Sequence, residues 1–195
     1  MKKLFEQYSA VSALGAGAVG FLYAVSFVVL KDATLSALFL MLSGLLALPV
    51  MVALYSMVKE VDEHFALIAL ILGVAGAFGY LVHGGYDLAN VINPPSMSAM
   101  DLPSQVDPRG LLVFGVSGLA ILKFSWLAQT SKVFPNSWST LGLLSGLLLL
   151  VIYLARLIVL SPASPTLLYP VLLEGFVVNP IWYLWLGSIF LGKKS

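Results

Sequence analysis

Five polar side chains stand in stretches of sequence that are otherwise apolar: His83, Asp87, Asn90, Arg156 and Glu174. Their types define a narrow chemistry. Asp87 and Glu174 supply negative charge to a small ligand or ion, Arg156 neutralises them or meets an anion, and His83 is a side chain that changes charge near neutral pH. Asn90 adds a carboxamide that donates and accepts. At about 100° per residue of helix, His83, Asp87 and Asn90 fall within roughly 60° of one another, with Tyr80 and Gly76 on the same side. His83 and Asp87 are i,i+4 neighbours and can share a hydrogen bond. That pairing would orient the imidazole as a general base, yet no nucleophile is singled out, so no catalytic residue is assigned.

The same residues argue against other chemistries. His83, Asp87 and Glu174 suffice in number for one metal ion, but Arg156 nearby opposes it, and two histidines cannot build a three-histidine zinc site. With no cysteine, disulfides, thiolate metal sites and cysteine nucleophiles are excluded. HExxH, GxSxG, P-loop and dinucleotide-binding patterns are absent. His83 could ligate a pigment, though an Asp87 partner is the simpler account, and no cofactor is identified. A formal charge of +1 without a basic tail gives no case for nucleic acid.

These residues need positioning elements, and composition says what those are. The chain has 195 residues, 60% hydrophobic and 10% charged, with a mean hydropathy of +1.00. A soluble domain is about 45–50% apolar and about 25% charged, so a soluble globule and a disordered chain are both excluded. An integral membrane protein remains, its main partner the lipid bilayer. A bilayer core of about 30 Å needs about 20 apolar residues per helix, and six runs qualify: 11–30, 34–58, 65–92, 111–129, 139–160 and 167–191. The backbone must satisfy its own hydrogen bonds in hydrocarbon, so the runs are helices. The expected architecture is an all-α, six-helix transmembrane bundle forming one domain over residues 1–195. With the N-terminus cytoplasmic, inner segments hold six lysines (Lys2, Lys3, Lys59, Lys132, Lys193, Lys194) and outer segments hold Lys31 and Arg109. This distribution places both termini in the cytoplasm. The 93–110 segment is then an outer loop, expected to be an ordered cap. Asp62 and Glu63 suit the start of helix three, and Asp107-Pro108 the start of helix four.

On this topology Asp87, Arg156 and Glu174 lie roughly 6–11 Å below the outer helix ends, with His83 slightly deeper. Charges at such depth cost least when paired. The expectation is a buried outer-half cluster of His83, Asp87, Asn90, Arg156 and Glu174 roofed by the loop. A purely structural ion pair between helices, or Arg156 reaching to the lipid interface, are the competing readings. Lys123, with Trp126 nearby, reads as a lysine reaching the inner headgroups. Pro49 and Pro180 interrupt helices two and six and free the carbonyls of Leu45 and Phe176. Gly142 to Gly146 is a GxxxG pattern, a close helix contact within the chain or between subunits.

The segment Ala53-Leu54-Tyr55-Ser56-Met57-Val58-Lys59, together with Glu174 and the Trp185-Leu186-Gly187 ending, resembles a family of small bacterial six-helix membrane proteins known only as a domain of unknown function. The resemblance implies a bacterial inner membrane and six helices, and carries no activity. Function therefore rests on the residues: binding or translocation of a small ligand or ion through the polar cluster. Two alternatives stay open, an accessory or assembly subunit of a larger membrane complex, and a membrane enzyme acting on a lipid or lipophilic substrate with His83 as base; partners could be further copies of the chain or a larger membrane complex.

Overall fold

The computed structural model describes residues 3–94, 110–158 and 164–192. These residues form six helices, each long and apolar enough to cross a membrane: α1 (Lys3–Leu30), α2 (Ala33–Val58), α3 (Glu63–Ile92), α4 (Leu111–Ser131), α5 (Asn136–Ile158) and α6 (Pro165–Gly192). No strand occurs among the described residues. The helices outrun the apolar stretches at several ends. The largest extension is at α1, which begins at Lys3 rather than Val11, because polar residues in a terminal turn cost little.

Capping fixes where two helices start. Asp32 accepts a hydrogen bond from the Leu35 N–H at 2.9 Å, and Asp62 accepts from the Phe65 N–H at 3.0 Å. Each satisfies a donor that the first helical turn leaves free. The residues after α1 and α4, Lys31 and Lys132, take left-handed conformations (φ 55° and 54°) that end the helix sharply. The segment 95–109, which includes most of the outer loop and Asp107-Pro108, lies outside the described residues. So do Leu160 and the terminal lysines Lys2, Lys193 and Lys194.

Each helix packs antiparallel against the next, and α6 returns to pack against α1, so the six close into a ring. Glycines set the spacing. On α3, a side chain at Gly73 would collide with Met51, one at Gly76 with Ser117, one at Gly79 with Leu112 and one at Gly84 with Ala37 and Met41. The same helix therefore presents small residues to both neighbours, α2 and α4. Between α4 and α5, Gly118 and Gly146 face each other's carbonyls, so the GxxxG pattern is a contact within the chain. Between α1 and α6, Gly17 lies against Pro180 and Leu184. Aromatic rings tie α5 to α6: Phe134, Trp138, Trp182 and Tyr183 follow one another at 4.5, 5.1 and 4.8 Å between centroids. The Trp138 Nε1–H donates to the Trp182 carbonyl at 3.1 Å. Large apolar side chains such as Leu30, Ile71, Val82, Leu147 and Leu154 cover the outside. Lys123 lies over the Phe65 ring at 5.1 Å, and Phe65 meets Trp126 edge-on at 5.5 Å.

Three helices carry a π-helical turn: Val25–Leu30 ends α1, Leu111–Val116 begins α4, and Glu174–Val178 interrupts α6. In the last of these the Asn179 N–H bonds back to the Glu174 carbonyl, five residues earlier. The wider turn rotates the side chains after it relative to those before it. All three lie towards the end of the bundle where α1, α3 and α5 finish, called the upper end below.

Candidate functional site

The site is built around Glu174, the only charged residue among the described ones whose side chain is in the core, at 4% exposure. The other buried polar residues are serines. Glu174 opens the π turn of α6 and points towards α5. There its Oε1 accepts from the Ser145 hydroxyl at 2.5 Å and from the Asn179 Nδ2 at 3.2 Å. Its Oε2 is equally buried and has no hydrogen-bond partner among the described residues. A carboxyl with one oxygen held by two donors and the other open is fixed in orientation and incomplete in bonding. Gly175 next to it allows α6 to approach Ala24 of α1, where an added Cβ would stand 3.1 Å from the Ala24 Cβ.

Tyrosine hydroxyls come next. Tyr80 of α3 lies beside Ser117 of α4 and within electrostatic reach of Glu174, Tyr183 and Tyr23. Tyr183 is also within reach of Glu174. Below them, Tyr80, Ser117 and Tyr183 help to line a cavity of about 10 Å³ between α2, α3, α4 and α6, room for about one water molecule. The rest of its lining includes Ala47, Met51, Gly73 and Ala77.

Towards the upper end, the His83 Nε2 and Asp87 Oδ2 are 3.4 Å apart, so these two residues are brought together. The His83 side chain is 11% exposed and that of Asp87 41%. Asp87 and Arg156 both lie within electrostatic reach of the Tyr23 hydroxyl. Asn90 sits on the next turn of α3, half-buried. Arg156 is in the last turn of α5, favourably placed at the negative end of that helix. It is exposed, with its guanidinium 5.7 Å from the Phe114 ring centroid.

The five residues named from sequence thus divide between two levels. Glu174 bonds to Ser145, which precedes Arg156 by eleven residues on the same helix, about 16 Å of rise at about 1.5 Å per residue. Depth counted from the ends of apolar runs missed this, because α5 and α6 do not end level with each other. Arg156 belongs with Phe114 and the Tyr23–Asp87 level, and Glu174 with Ser145 and Asn179. Sequence reasoning also missed Ser145, Tyr23, Tyr80, Ser117 and Tyr183 as site residues. Ser145 was visible only as the small residue inside the GxxxG pattern, and the tyrosines lie on three different helices. No protein-family model, characterised protein or solved structure matches the chain.

Proposed function

We propose that this chain is a multi-pass membrane protein, with both termini cytoplasmic in a bacterial inner membrane, that binds or translocates a small ligand or ion through the polar site at Glu174. The observation that carries the reading is the Glu174 carboxyl, buried in an apolar bundle with Oε2 unpartnered. Burying such a group is expensive, and a structural lock would use both oxygens. The π turn supports it, since such turns occur frequently at functional sites.

Charge narrows the occupant: among the described residues the only charged side chain in the core is a carboxylate, which favours a cation over an anion. His83, Asp87 and Arg156 then form the upper approach to the site, with Asn90 beside them. The test is flux through liposomes holding the purified full-length chain, read with radioactive sodium and with an internal pH dye under an imposed potassium potential. Flux of either that is lost in E174Q supports the reading. Flux that survives E174Q and D87N together, or no flux of either, refutes translocation through this site. Stoichiometric co-purification with other membrane proteins would favour the subunit alternative.

A further inference from the structure

The open oxygen of Glu174 also bears on what the occupant is, and the argument here rests on the ion-binding reading above. A metal cation is held by several oxygens at once; calcium, for example, takes six to eight. Glu174 presents one. Its Oε1 is already taken by the Ser145 hydroxyl and the Asn179 amide, both of which donate and so turn their hydrogens, not their lone pairs, towards the site. No cluster of three or more carboxylate or imidazole ligands occurs among the described residues. A proton needs one oxygen, and one is open.

The surroundings continue the same chemistry. Starting at the upper end, Asp87 is 41% exposed and paired with His83. Tyr23 on α1 lies within electrostatic reach of Asp87. Tyr80 on α3 lies within reach of Tyr23 and of Glu174. Every member of this series carries a hydroxyl, carboxyl or imidazole that can be protonated. Beyond Tyr80 the series continues through Ser117 and Tyr183 around the cavity of about 10 Å³. The groups facing Glu174 are therefore Tyr80 from α3, Ser145 from α5, and Asn179 and Tyr183 from its own helix. Arg156 enters only through Tyr23, at the upper level.

We propose that the ligand of this site is the proton, which bonds to Oε2 of Glu174. In the binding step one O–H bond breaks in a hydronium ion and one forms at Oε2, leaving a water molecule. No electrons are transferred. The charge of the site changes by one, from carboxylate to carboxylic acid. The Ser145 and Asn179 donors hold Oε1 in both forms, so the proton is directed to Oε2.

Infrared difference spectroscopy of the full-length chain in liposomes, stepped between acidic and alkaline buffer, tests this directly. The protonated-carboxyl C=O band appears as pH falls and vanishes as it rises. The band assigned to Glu174 is lost in E174Q and retained, shifted in frequency, in E174D. Size-exclusion profiles and helical circular dichroism matching the wild type establish that the variants are folded. A difference spectrum unchanged by E174Q overturns the proposal. If sodium flux depends on Glu174 while no such band titrates, the proton is the wrong occupant and the ion site stands. If neither is seen, both readings fall.

Discussion

Gly146→Ala is the most exacting test of the packing described here, because the structure fixes its cost from both sides. A Cβ at Gly146 would stand 2.6 Å from the Leu122 Cγ, 2.8 Å from the Gly118 carbonyl oxygen and 2.9 Å from the Leu122 backbone nitrogen. Ordinary contact begins at 3.4 Å, so relieving the clash with the carbonyl means parting α4 and α5 by about 3.4 − 2.8 = 0.6 Å. The Leu122 side chain can turn, but the two backbone atoms cannot. Overpacking of this kind costs about 1–3 kcal/mol. Gly118→Ala strikes the same contact from the other face, with its Cβ 2.9 Å from the Gly146 carbonyl. One separation of the helices relieves both clashes, so the double variant should lose less than the sum of the singles. Gly85→Ala is the control: nothing lies within 4 Å of its added Cβ, and the change should be neutral or stabilise by up to about 1 kcal/mol through backbone entropy. Reversible unfolding in mixed micelles with increasing denaturing detergent measures all four. A Gly146→Ala protein as stable as Gly85→Ala would refute the claim that this contact is close-packed within the chain.

Three further outcomes are expected. Ser145→Ala removes one of the two donors to Glu174 Oε1 and should cost about 0.6 kcal/mol, at most about 1.7, the range for interhelical hydrogen bonds in membranes; the same unfolding assay reads it, and the loss should disappear when Glu174 is already replaced by Leu. Trp138→Phe leaves the buried Trp182 carbonyl without its indole donor, costing about 1–3 kcal/mol and changing the near-ultraviolet circular dichroism. Asp62→Ala removes the cap of α3 and should cost about 1 kcal/mol, whereas Asp62→Asn should restore most of it.

The helices were legible because hydrocarbon imposes a length, and breaks such as Lys31-Asp32 and Lys59 to His64 interrupt the apolar runs where the chain turns. Asp62 was legible for a local reason, since a cap acts on a residue three positions away. The arrangement at Glu174 was legible only as an unusual residue type. Its level in the bundle depends on how α5 and α6 slide past each other, which the Trp138–Trp182 contact decides. The π turn beginning at Glu174 left a faint mark, a glycine after the carboxylate and an Asn-Pro pair five residues on, which reads as a kink from Pro180 alone. Tyr80 shared the His83–Asp87 face by helical spacing, whereas Tyr23 and Tyr183 gave no signal, because groups on different helices have no fixed sequence spacing.

Ring closure has a consequence for biosynthesis. The groove on α1 around Gly17, where Pro180 and Leu184 lodge, stays unfilled until α6 has been translated. Until then the other five helices form a sheaf whose open seam lies at α1. A chain truncated before residue 165 keeps that seam open. Quality-control proteases should remove it faster than a chain lacking only Lys193 and Lys194.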